Sequence, residues 1–290
     1  HAPGGLPYAD RAEMATRIAA AAGQSGIGLT LLPVLYSQGG CDGRALGPGQ
    51  VRFGNDIDGF ARLVDGAEAA LHSLPADARF GIAPHSLRAV TRDGLAACIA
   101  LRPGAPLHMH LAEQVAEVTE VQAAYGARPV EWLLDHAAVD ARWCLIHCTQ
   151  MERAETLALA ATGAVAGLCP ITESSLGDGI FDGVAWLQAG GRFGIGSDSN
   201  IRITLSEELR TLEYSQRLRD RVRAALANPA QSTGRVLLES AAQGGAQAAG
   251  RGAGVIAPGA LADLLAGATR QVDLEGRQGD ALLDAWIFAA

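Results

Sequence analysis

A chain of 290 residues can bury a sizeable core, as one barrel or as two domains. With 49% hydrophobic and only 19% charged residues it lies outside the disordered range, and its 36 glycines suit a compact, turn-rich protein. The formal charge of −8, with no basic stripe, argues against nucleic acid and leaves a small-molecule substrate as the expected partner.

In chain order, helical periodicity over 9–22 is followed by an apolar strand-like run at 27–35 and a long helix at 56–74. A strand at 80–83, a helix at 91–100 and a strand at 106–111 come next, then helices at 114–125 and 129–136. Strands at 143–147, 164–168 and 192–196 alternate with helices at 154–161 and 183–189, and 170–179 reads as a loop. Two more helices, 206–226 and 232–249, precede 252–265, which has the look of a turn and a strand. No run reaches the roughly 20 apolar residues that a membrane-crossing helix needs. The cysteines, Cys41, Cys98, Cys144, Cys148 and Cys169, are odd in number and lack zinc-ribbon spacing, which suits reduced thiols in a cytoplasmic protein.

Near-continuous apolar strands alternating with helices predict a parallel sheet covered on both faces. An open doubly wound sheet would satisfy that pattern. The (β/α)8 TIM-type barrel is the better reading because His85, His110, His147, Thr172 and Asp198 each close a strand, as if around one mouth. The strand count makes it an incomplete barrel, with two units of together roughly 60 residues expected before His1. The expected organisation is a partial barrel over 1–250 and, over 251–290, a remnant of a small β domain with a closing helix.

The chemistry-bearing residues sit at those strand ends. His110 and Glu113, spaced H-x-x-E, suit a metal ligand followed by a proton shuttle, although a surface loop would give the same letters. His108 shares a strand face with His110 and is expected to be structural. His147 ends the apolar run Cys144-Leu145-Ile146 and is a candidate for catalysis, its flanking cysteines being core. Asp198, after Gly194-Ile195-Gly196-Ser197, fits metal ligation or general-base work, with a helix cap as the plain alternative. His85 and Arg88 lie in a strand–helix turn, where a guanidinium can grip a carboxylate; a solvated arginine is the alternative. Glu173 is accounted for by capping in its loop. There is no P-loop, no Rossmann glycine pattern and no nucleophile elbow, so serine-triad chemistry is a poor reading.

These residues carry a resemblance. Pro84-His85-Ser86-Leu87-Arg88, His108 to Gln114, Gly167-Leu168-Cys169-Pro170, Leu176-Gly177-Asp178-Gly179-Ile180-Phe181 and Gly191 to Ser199 resemble the amidohydrolase superfamily, and within it the formimidoylglutamate deiminases of histidine degradation. The resemblance implies one zinc bound by His110 and Asp198, with iron or manganese as alternatives. It implies that Asp198 takes a proton from the attacking water, Glu113 shuttles protons to the departing nitrogen, and His147 steadies developing charge. It also implies that His85 and Arg88 hold a carboxylate-bearing substrate, with N-formylglutamate and ammonia as products.

The sequence departs from the family pattern in three places. The first-strand H-x-H pair that supplies two further ligands has no counterpart, Gln150 stands where a second histidine is usual, and Asn200 replaces the histidine of Ser-Asp-Ser-His. With two of the expected ligands, these residues alone are expected to bind zinc poorly and to turn over little substrate. An aminopurine or triazine deaminase, or an inactive barrel fragment, are the alternative readings. A homodimer is expected only because dimers are the commonest assembly.

Overall fold

In the computed structural model, which describes residues 2, 4–200, 202–267 and 270–289, the first helix is α1 (Glu13–Ser25). It starts later than its periodicity predicts because the Asp10 carboxylate accepts the Ala12 N–H at 2.8 Å and holds a turn; Gly26, at φ 74°, ends it. The run expected as one strand at 27–35 is two short pieces, β1 (Thr30–Leu31) and β2 (Val34–Leu35). Pro33 lies between them and has no N–H to give to a ladder. Helix α2 (Ile57–Ala70) is capped by Asp56, which accepts the Gly59 N–H at 2.6 Å. Strands β3 (Arg79–Phe80) and β4 (Ala83–Pro84) run parallel to β1 and β2, with Thr30 opposite Arg79 and Val34 opposite Ala83.

Helix α3 (Arg92–Leu101) is capped by Thr91 and leads to β5 (Leu107–Leu111), placed beside β4 by parallel bridges Ile82–Leu107 and Ser86–His110. Helices α4 (Val115–Tyr125) and α5 (Pro129–His136) precede β6 (Trp143–His147), and the Leu107 N–H donates to the Arg142 carbonyl at 3.0 Å. The remaining elements are α6 (Arg153–Ala161), β7 (Val165–Leu168), α7 (Pro170–Leu176), α8 (Gly183–Gln188), β8 (Arg192–Ile195), α9 (Leu205–Asp220), α10 (Thr233–Ala248) and α11 (Gly279–Phe288). Strands β7 and β8 are parallel over four residues, from Val165 opposite Arg192 to Leu168 opposite Ile195. No described helix is long and apolar enough to cross a membrane.

Contacts divide the chain into two compact units: His1–Leu111, Val115–Leu145 and Ala248–Arg251 form one, and Ala112–Gln114, Ile146–Gln247 and Gly252–Ala290 form the other. In the first, β5 alternates as sequence periodicity requires: Leu107, Met109 and Leu111 are buried, while His108 and His110 face the other way. Phe60, Val64, Ile82, Leu133 and Trp143 complete that core. In the second, Val165, Leu168, Trp186, Phe193, Leu209 and Leu237 are buried. There α10 approaches β8 closely enough that a Cβ at Gly244 would collide with the Phe193 carbonyl.

Two expectations are corrected. The stretch 170–179, read as a loop, holds helix α7, begun by Pro170 in its first turn and ended by Gly177 at φ 73°. The segment 252–265 has turns but no strand; Leu264 and Leu265 are exposed, with no neighbouring strand to pair with among the described residues.

Candidate active site

In the first unit the end of β4 and the face of β5 bring His85 and His110 together, with stacked rings whose centroids are 4.6 Å apart. His110 Nδ1 lies 2.9 Å from the His85 carbonyl oxygen, to which it can only donate. That bond puts the proton on Nδ1 and makes Nε2 the electron-pair nitrogen, the tautomer a metal-binding histidine uses. Burial, then the neighbouring His110 and Arg88, pull the His85 pKa down to about 3, so this imidazole is neutral. Tyr36 meets the His85 ring edge-on at 4.5 Å. A cavity of about 470 Å³ opens at His85, with Arg11, Tyr36, Gln50, Arg52 and Asn55 among its lining residues. Arg88 lies 3.6 Å from the buried Glu117 carboxylate. His108 Nε2 bonds the Ala248 carbonyl at 2.8 Å.

The second unit assembles the other candidates around His147, whose side chain is 1% exposed. Its Nε2 lies 3.8 Å from Glu113 Oε1 and 4.0 Å from Asp198 Oδ2. Its Nδ1 lies 3.2 Å from Glu173 Oε1, which also accepts the Cys169 N–H at 2.9 Å. Burial alone would lower the His147 pKa, but the Glu173 hydrogen bond and the charges of Glu113, Glu173 and Asp198 outweigh it and raise the value. His147, Cys169 and Glu173 also form a buried group whose ligand atoms all lie within 4.8 Å of one another.

The backbone is unusual at the same places. Ala112, His147, Cys148 and Asp198 have φ of 51°, 73°, 53° and 49°, in a region that side chains other than glycine adopt at a cost. Each lies at or just past the end of β5, β6 or β8, where the candidates are displayed. The departures at Gln150 and Asn200 have local roles: Gln150 donates to the Asp178 carbonyl, and Asn200 accepts the Arg202 N–H at 3.0 Å.

Sequence reasoning missed Glu173 and Glu208. Glu208, on α9 and buried, accepts the Ile171 N–H at 2.8 Å. Burial, with the charges of Glu173, Glu207 and Asp198 adding to it against that bond, raises its pKa to about 7. A proline and a glycine seven residues apart, Pro170 and Gly177, were the signal for α7, and so for Glu173 as a helical rather than a loop residue.

A curated relative, the formimidoylglutamate deiminase of Pseudomonas aeruginosa, is 48% identical over 98% of this chain, which spans 63% of that protein's length. An amidohydrolase from Brucella melitensis of known crystal structure is 52% identical, with a TM-score of 0.95 over all of this chain and 64% of that one. An adenosine deaminase from Xanthomonas campestris, solved with bound zinc, shares the fold at 24% identity, with a TM-score of 0.79 over 95% of this chain and 60% of its own. The amidohydrolase family pattern matches residues 14–285, and the chain belongs to that family.

Proposed function

We propose that this chain carries the reacting residues of a hydrolytic deiminase converting N-formimidoyl-L-glutamate to N-formyl-L-glutamate and ammonia, in histidine degradation. The observation that carries this reading is the meeting of Glu113, His147 and Asp198 at strained strand ends. The 48% identity to the Pseudomonas deiminase supports the substrate.

In the proposed reaction a water oxygen bonds to the formimidoyl carbon and the C=N electron pair moves onto nitrogen. Asp198 accepts the water proton, and Glu113 delivers a proton to that nitrogen. The proton taken up by Asp198 then reaches that nitrogen, the C–N bond breaks and ammonia leaves, and the hydroxyl proton returns to Glu113 as the carbonyl forms. His147 with a proton on Nε2 offers a hydrogen bond to the oxygen as charge develops there. Arg88 supplies the cation for a substrate carboxylate, and neutral His85 a polar contact that adds no charge.

His110 and Asp198 each offer a ligand suited to zinc. The Nδ1–H bond of His110 and the exposed Asp198 carboxylate suit that role. When bound, the metal lowers the pKa of water and polarises the attacked group. A catalytic zinc normally has three protein ligands, so the proposal assigns its remaining ligands to residues beyond this pair, in line with a barrel of which 1–250 is part. Residues 251–290 belong, on this proposal, with a small accessory domain. Five buried free thiols support a reducing, cytoplasmic setting.

The test is a substrate panel on concentrated, zinc-supplemented protein, since slow turnover is expected of these residues alone, with products identified by NMR. Ammonia and N-formylglutamate from N-formimidoyl-L-glutamate, with 5-methylthioadenosine left intact, is the expected result. Turnover of the purine nucleoside instead would overturn the assignment.

A further inference from the structure

The residue that holds the catalytic imidazole is one that the strand-end pattern does not mark. The geometry points to Glu173 as the positioning residue of His147, fixing its ring through Nδ1 so that Nε2 faces Glu113 and Asp198. This rests on the role proposed above for His147.

Three features support it. Glu173 is 5% exposed and sits in the first turns of α7, where Pro170 sets the start of the helix and so the direction of its side chains. A single oxygen, Oε1, receives both the His147 ring at 3.2 Å and the Cys169 N–H at 2.9 Å. The backbone bond anchors that oxygen, so the ring meets a fixed acceptor and not a mobile carboxylate. His147 itself, the last residue of β6, lies at φ 73°, outside the extended region, so the strand alone does not set its direction. An acceptor on Nδ1 does, and it selects the protonation pattern as well as the angle, because an atom facing a carboxylate oxygen must carry the proton. Capping of α7 alone would need only the bond to Cys169.

Because Oε1 serves two donors, Glu173→Gln can place its carbonyl oxygen there and keep both bonds, whereas Glu173→Ala loses both. The experiment is long-range 1H–15N NMR of ring-labelled, chelator-treated protein without substrate, joined to steady-state kinetics of the zinc-supplemented protein. We expect protonated Nδ1 in the wild type and in Glu173→Gln, and loss of that pattern in Glu173→Ala. With substrate, Glu173→Ala should lower kcat about 100-fold, within the range for a general acid–base group, with KM changed less than threefold. Glu173→Gln should recover most of that loss.

An unprotonated Nδ1 in the wild type would overturn the inference, and would suit instead a cation among His147, Cys169 and Glu173. So would an unchanged ring signal or kcat in Glu173→Ala. Should Glu173→Ala fail to fold, the wild-type signal and the Glu173→Gln kinetics still decide. A wild type inactive on N-formimidoyl-L-glutamate with Nδ1 protonated would count against the proposed substrate and leave the positioning intact.

Discussion

Replacing Glu208 by glutamine should stabilise the protein at alkaline pH and not at acid pH. Glu208 is 1% exposed, and burial raises its pKa from 4.5 to about 7. Between those values the folded protein keeps a proton that the unfolded chain has lost, so the stability contributed by this group falls as pH rises through the interval. At about 1.4 kcal/mol for each tenfold change in proton affinity, the whole interval is worth about 3 kcal/mol. Glutamine stays neutral throughout and can still accept the Ile171 N–H through its carbonyl oxygen. Its amide would occupy the position of Oε1, which has no hydrogen-bond partner among the described residues, but protonated Glu208 meets the same difficulty at low pH. That cost therefore cancels in the difference between pH values. Thermal unfolding of chelator-treated wild type and Glu208→Gln at pH 5 and pH 8 should show the variant gaining about 6 °C relative to wild type between the two. An equal difference at both pH values would refute the reasoning, and so would a variant that loses ground as pH rises.

Arg88→Ala should raise KM for carboxylate-bearing substrates by about 10- to 100-fold, the loss of one charge-assisted bond, in steady-state assays. His110→Ala should weaken zinc binding by at least about 10-fold in a chelator competition, with the far-UV circular dichroism unchanged. Leu107→Ala removes a fully buried side chain from β5 and should cost about 2–5 kcal/mol in urea unfolding.

Much of the site was legible because strand periodicity and strand ends are local signals. The alternation of β5 placed His108 and His110 on one face, and apolar runs ending at His147 and Asp198 marked where side chains leave the sheet. Pro33 was equally visible, yet its consequence, a ladder broken into β1 and β2, depends on which neighbour would have taken its N–H. Glu173 was hidden by its setting, since Ser, Thr, Gly and Asp around it suit a loop as well as a short capped helix. Glu208 was hidden for a different reason. Its partner Ile171 lies 37 residues away, and nothing in the polar start of α9 shows that this carboxylate, unlike Glu207 beside it, is turned inward. The strained backbone at Ala112 and Cys148 had no sequence signature, because neither is a glycine, asparagine or aspartate.

The central claim is that water adds to the formimidoyl carbon and ammonia departs. Running the reaction of N-formimidoyl-L-glutamate in 18O-labelled water tests it most directly, with mass spectrometry of the product and a parallel ammonia assay. The account predicts one labelled oxygen in the formyl group of N-formylglutamate and one ammonia for each product molecule. Product without the label, or ammonia released without N-formylglutamate, would contradict it.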